Sequence, residues 1–151
     1  MIDKVRDIPT VTVEDELKCH GFCIMNTSGR SMRPLIKEND AVVLKSPDRE
    51  IKKYDVVLYT DRTGRHILHR VIGKRDNLFI IRGDNTFVKE FVAENDILAY
   101  MLSFNRNGKK CDTGAFSYRF FSRIWLFIYP LRLALRKVRN LFGRIKRVIF
   151  K

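Results

Sequence analysis

A serine, a histidine and an aspartate are the residues with which this chain could carry out acyl transfer. Ser31 lies in Ser28-Gly29-Arg30-Ser31-Met32-Arg33-Pro34-Leu35-Ile36, His69 in Leu68-His69-Arg70-Val71-Ile72, and Asp84 in Arg82-Gly83-Asp84-Asn85. A serine hydroxyl is a weak nucleophile near neutral pH and needs an adjacent base. An imidazole, with an ordinary pKa of about 6.5, can take the hydroxyl proton and return it to a leaving amine. A carboxylate beside the ring holds its tautomer and stabilises the imidazolium. Each residue also has an ordinary reading: a turn serine, a structural strand histidine, a turn aspartate bonding its own backbone. His66 points to the opposite strand face from His69 and is expected in solvent. Lys74 reads as a solvated turn residue.

The elements that would position these residues are short. Thr12 is placed to cap a helix over Val13-Glu14-Asp15-Glu16-Leu17-Lys18, which carries acids in its first turn and ends at Gly21. Strands are expected at 22–25, 41–45, 56–59, 66–72, 78–82 and 97–105, with 87–92 extended. Asp61-Arg62-Thr63-Gly64 is a hairpin turn. Residues 106–114 read as a polar linker and 1–10 as a loose leader. Short strands joined by polar turns predict a mainly-β domain, a coiled antiparallel sheet or barrel-like fold, over residues 1–110. A C-terminal α-helical tail follows over 111–151.

Charge divides the chain in the same place. All 17 acidic residues lie at or before Asp112, so the first 112 residues carry a net charge of only +3 within a total of +13. The remainder holds ten basic residues and no acid. In it Leu131, Ala134, Leu135, Val138, Leu141, Phe142, Ile145 and Ile149 recur at helical spacing as one stripe, with arginines largely opposite. An apolar stripe backed by basic residues predicts an interfacial helix on an anionic membrane surface, over 116–151. Packing on the domain or a partner is the alternative, and the stripe argues against nucleic acid. No apolar run approaches the ~20 residues of a bilayer span.

The 3 cysteines leave at least one unpaired, and reduced thiols suit the cytoplasm. Cys19, His20 and Cys23 lack a fourth ligand at sensible spacing, so neither metal nor cofactor is implied. The first twenty residues have no apolar signal-peptide core. The expected location is therefore cytoplasmic, peripheral on the inner membrane face.

Order and context of the motifs add a resemblance. The chain resembles, over roughly residues 12–110, the serine peptidase superfamily that contains type I signal peptidases and LexA-type self-cleaving repressors. Gly29-Arg30-Ser31-Met32-Arg33-Pro34-Leu35 is similar to its nucleophile box. Glu38-Asn39-Asp40-Ala41-Val42-Val43 is similar to the acidic turn and strand that follow. Tyr54-Asp55-Val56-Val57-Leu58-Tyr59 resembles a Gly-Asp-Val-Val strand, with Tyr54 in place of Gly. His69-Arg70-Val71-Ile72-Gly73 resembles the base box, Arg82-Gly83-Asp84-Asn85 the Gly-Asp-Asn box, and Asp96-Ile97-Leu98-Ala99-Tyr100, in part, the closing box.

The resemblance implies the Ser/His branch, that of endoplasmic-reticulum and archaeal signal peptidases. Ser31 would be the nucleophile and His69 the general base. Asp84 would orient the base or brace the site through an ion pair, with Asp96 a second candidate. The Ser31 N–H would be one oxyanion donor. Many relatives add a hydroxyl two residues before the nucleophile, where this chain has Gly29, which leaves Ser28 or another group as the second donor. The expected activity is endoproteolysis of leader, signal or propeptides bound in extended form along residues 22–31. The alternatives are a self-cleaving LexA-like regulator and a non-catalytic, membrane-associated binding protein.

Overall fold

The computed structural model describes residues 12–149, with side chains described through residue 140. The leader expected at 1–10 lies outside the described residues, as do the side chains of Leu141, Phe142, Ile145 and Ile149. Helix α1 (Val13–His20) begins at a capping box in which the Thr12 hydroxyl accepts from Asp15 N–H and the Asp15 carboxylate accepts from Thr12 N–H; Gly21 closes it in the left-handed region at φ 75°. Eight strands follow: β1 (Phe22–Asn26), β2 (Ala41–Lys45), β3 (Val56–Thr60), β4 (His66–Arg75), β5 (Leu78–Arg82), β6 (Glu90–Ala93), β7 (Ile97–Arg106) and β8 (Lys109–Asp112). Helices α2 (Phe116–Phe127) and α3 (Tyr129–Ile149) end the described chain.

All strand pairs are antiparallel, in the order β1-β2-β7-β3-β4-β5-β6, with β8 on β7. Register shifts between Val43 and Leu44, Leu58 and Tyr59, and Val71 and Gly73 bend the strands, and the sheet curls into a half-barrel. The protein is therefore mainly β with an α-helical tail, as its strand pattern predicted. Strand β3 lies at the centre of this curl. Val56 and Leu58 enter one core with Val42, Leu44 and Met101, while Val57 and Tyr59 enter a second with Val71, Phe79 and Ile81. Both faces of β3 are covered, which is why its run Val-Val-Leu-Tyr shows no polar alternation.

Residues 106–114 form part of the sheet rather than a linker. Asn107 and Gly108 both adopt positive φ (50° and 78°), the geometry of a two-residue hairpin, and β8 pairs along β7 from Ser103↔Asp112 to Arg106↔Lys109. The Lys109-Lys110 pair that gives the segment a linker's composition is typical of a protected edge strand. Strand β8 runs across the expected 110/111 boundary, and α2 buries Tyr118 and Ser122 against the sheet domain. The first tail helix is thus part of the folded unit.

Tyr54, the residue standing where the resembled motif has Gly, adopts φ 83°. Its backbone is held there: its N–H donates to Val71 O at 2.9 Å and its carbonyl accepts from Arg70 Nη1 at 2.9 Å. A side chain in this region costs about 1–2 kcal/mol, of which a glycine's extra unfolded-state entropy returns about 0.5–1 kcal/mol. Tyr54→Gly is expected to raise unfolding free energy by about 0.5 kcal/mol in urea titration, and Tyr54→Val to lower it by about 1 kcal/mol, because a β-branched residue tolerates positive φ least.

Candidate active site

The nucleophile turn between β1 and β2 is fastened at both ends. Met32 and Ile36 are buried in the core and anchor it from below, and Ile36 N–H donates to Met32 O at 3.0 Å. At its start, Asn85 N–H donates to Ser31 O at 2.7 Å and Asn85 Nδ2 to Arg30 O at 3.2 Å. At its end, Arg106 Nη2 donates to Leu35 O at 2.7 Å while its Nε donates to the buried Asp40 carboxylate at 3.0 Å. Asp40, from the predicted acidic turn, also accepts from Lys37 N–H at 2.8 Å. Burial opposes charge on Asp40, but Arg106 and the Lys37 amide outweigh it and hold the carboxyl below its usual range.

His69 comes from the middle of β4, opposite Val57 of β3, and is buried. Its Nδ1 lies 3.2 Å from Glu90 Oε1 and 3.4 Å from the Tyr59 hydroxyl oxygen. Tyr59 in turn donates to the other Glu90 oxygen. Burial, followed by the Glu90 carboxylate, pushes the Tyr59 phenol far above its ordinary value, so it stays protonated and serves as a donor. A carboxylate oxygen beside Nδ1 favours the tautomer that carries the proton there and leaves Nε2 as the acceptor. Burial also drives the His69 pKa below that of a free imidazole, partly countered by Glu90. The ring is therefore neutral near pH 7, the state a general base requires.

Nε2 faces the nucleophile turn. A Cβ placed on Gly83 would lie 2.9 Å from His69 Nε2 and 2.8 Å from Ser31 O, so one point touches both residues. Only a residue without a side chain fits between them. Gly83→Ala is expected to separate the two while the chain still folds, and to lower any turnover that uses both by about 10²-fold, read beside an unfolding curve. Ser31 and His69 line a common cleft of about 760 Å³ whose apolar wall includes Met25, Met32, Val42 and Leu68. Among the described residues no hydrogen bond joins Ser31 Oγ to His69, and the Ser31 N–H has no acceptor. Such links tighten when substrate fills a site. The unengaged N–H is available as an oxyanion donor.

The other expected residues divide. Asp84 makes no hydrogen bond to His69 among the described residues, although its charge favours the protonated ring at longer range. Its carboxylate is taken by Arg70, Nε to Oδ1 at 2.8 Å and Nη2 to Oδ2 at 2.7 Å, with both side chains buried. Of the two roles considered for Asp84, its contacts are those of the ion-pair brace. Arg70 Nη1 also donates to Tyr118 OH at 3.3 Å and Ser122 Oγ at 3.2 Å, which ties α2 to the pair. Trp125 Nε1 and Arg132 Nη2 donate to the Asp84 carbonyl at 2.9 and 3.0 Å. Asp96 sits exposed in a short 3-10 turn (Glu94–Asp96) and makes no bond to His69 among the described residues.

Ser28 is exposed and lines the cleft beside Gly29, whose φ of 84° is left-handed. His66 is exposed, as expected, but pairs with Glu14 of α1 at 2.7 Å. Lys74 lies exposed near the end of β4, 3.3 Å from Glu94. The residue that composition and motifs did not single out is Glu90. One signal was present: Glu90 and Val92 share a strand face, and Val92 is apolar and buried, so Glu90 is carried inward.

Comparison with known proteins returns no matching family model, and no curated protein matches the chain.

Proposed function

We propose that the protein is a serine endopeptidase that cleaves leader, signal or propeptides through an acyl-enzyme on Ser31, resembling the Ser/His branch of the signal-peptidase and LexA-type superfamily. The observation that carries this reading is His69: its Nδ1 is engaged by Glu90 and Tyr59 while its Nε2 shares one point of contact with the Ser31 turn. In the proposed reaction Nε2 accepts the Ser31 hydroxyl proton as Oγ attacks the scissile carbonyl. The Ser31 N–H receives the oxyanion, and Ser28 at the cleft wall is the candidate second donor. The imidazolium, stabilised by Glu90, passes its proton to the departing amine. Water activated by the same nitrogen then hydrolyses the ester and restores Ser31.

Strand β1 is a sheet edge, and Met25 and Thr27 line the cleft beside it, which supports an extended peptide adding along that edge. The reading places the enzyme in the cytoplasm, peripheral on the inner membrane face. Free thiols at Cys19, Cys23 and Cys111 suit that compartment. Among the described residues no helix is long and apolar enough to cross a membrane.

The test is cleavage of a peptide library carrying small residues at the cut position, with products identified by mass. Wild type is expected to produce defined fragments and Ser31→Ala none. Equal cleavage by both would overturn the proposal.

A further inference from the structure

Helices α2 and α3 present two unlike faces. Tyr118, Ser122, Trp125 and Arg132 turn toward the sheet domain, where they hold Arg70 and the Asp84 carbonyl. On the other side Phe116, Phe120, Ile124, Phe127, Leu131, Leu135 and Val138 are all exposed, Phe116 by 82% and Phe127 by 84%. Two bonds span the junction, Ile128 N–H to Ile124 O at 2.9 Å and Arg132 N–H to Ile128 O at 3.1 Å, while Ile128 itself caps α2 with ψ 0°. At 100° per residue Phe116, Phe120, Ile124 and Phe127 of α2 fall within about 80° of arc, with Tyr118, Ser122 and Trp125 roughly opposite, and Leu131, Leu135 and Val138 of α3 fall within about 60°. The stripe is therefore solvent-facing and is not the main packing face of these helices, although Phe120, Ile124 and Phe127 border an open groove with Lys53 and Tyr54 of the domain.

Its borders are basic. Arg119, Arg123, Lys137 and Arg139 flank it, the chain beyond Asp112 contains no acid, and none of these four has an acidic partner among the described residues. A broad aromatic-aliphatic strip bordered by unmatched cations is complementary to a bilayer interface with anionic headgroups. The rings enter the acyl boundary and the guanidinium groups meet phosphates. A second copy of this face would bring cations against cations, and a nucleic acid would leave the stripe in water. We infer that α2 and α3 form an interfacial anchor that binds an anionic membrane surface, with the inner face of the same helices built into the Arg70–Asp84 brace behind the cleft.

The anchor does not rest on the peptidase reading, and its test needs no turnover. The probe is co-sedimentation of the full chain with vesicles of phosphatidylcholine alone and of an equal mixture with phosphatidylglycerol. Wild type and Ser31→Ala are expected to pellet with the anionic vesicles and at least about ten-fold less with the neutral ones. Phe116→Ser with Phe127→Ser removes the two most exposed rings and is expected to abolish pelleting with an unchanged unfolding curve. Arg119→Gln with Arg123→Gln is expected to weaken it on the order of ten-fold. Wild type remaining in the supernatant overturns the inference, as does equal binding by the phenylalanine variant. A concentration-dependent dimer that the phenylalanine variant dissolves, without vesicle binding, overturns it in favour of self-association.

Discussion

Exchanging His69 for alanine is expected to lower kcat/KM by about 10³-fold or more, and exchanging Glu90 for glutamine to lower it by about 10²-fold while also moving the pH profile. The first change removes the imidazole whose Nε2 faces the Ser31 turn as a proton acceptor. The second keeps the shape of the Glu90 side chain but removes its charge. Two effects then follow from the geometry. The imidazolium loses its stabilising carboxylate, so turnover falls. The His69 pKa, already lowered by burial and held up in part by Glu90, drops further.

In the proposed reaction the active form has neutral His69. Activity therefore rises as pH increases through the folded-state pKa and is level above it. In wild type that rise is centred below the ordinary imidazole value, and in Glu90→Gln lower still. A kcat/KM profile from acid to neutral pH reads both. A Glu90→Gln profile that falls in height with no shift toward acid would remove Glu90 as the partner of the base. Asp84→Asn offers the contrast: its carboxylate bonds Arg70 rather than the ring and acts on the His69 pKa less than Glu90 does, so a smaller acid shift is expected.

Removing one member of the Arg70–Asp84 pair is the change expected to cost most in stability. Asp84→Ala leaves a buried guanidinium without its carboxylate, a loss of about 3–5 kcal/mol. Arg70→Met with Asp84→Leu removes both charges and is expected to recover most of that loss, since an ion pair sealed from water is seldom worth more than well-packed apolar groups. Activity is not expected to recover with it. Asp84 shares a turn with Gly83 and Asn85, and Asn85 holds the Ser31 and Arg30 carbonyls. The pair and the tail bonds to the Asp84 carbonyl fix that turn, so the apolar double variant should fold and still turn over slowly. Urea unfolding read beside kcat separates the two quantities. Parallel recovery of stability and rate would show that the pair does not position the turn.

Local chemistry made most of the scaffold legible. Thr12, Asp15 and Gly21 sit where a short helix needs its caps, and the observed strands 41–45 and 78–82 coincide with those read from the residues. The segment 106–114 was read as a linker because a lysine-rich edge strand and a polar loop have the same composition; the Asn107-Gly108 pair within it, a two-residue hairpin signal, separates them. The tail shows the same limit. Its apolar spacing marks a helical stripe, but the inner face of α2 is aromatic too. Only packing distinguishes Tyr118 and Trp125, which reach Arg70 and Asp84, from Phe116 and Phe120, which stay exposed and stack on each other.

By itself the sequence determined a mainly-β domain with a basic amphipathic tail, and it set Ser31, His69 and Asp84 apart as the groups with chemistry. Those properties are local: caps, alternation, turn residues and charge runs act over a few neighbours. Tertiary structure alone decided which carboxylate faces which cation. Asp84 and Glu90 are both acids a short distance along the chain from His69; the strand face that Glu90 shares with Val92 turns it inward but does not say whether it meets the base or an arginine. The register of β4 with β3 and β5 turns consecutive side chains to opposite faces, so Arg70 meets Asp84 and His69 meets Glu90. A one-residue slip would exchange those partners.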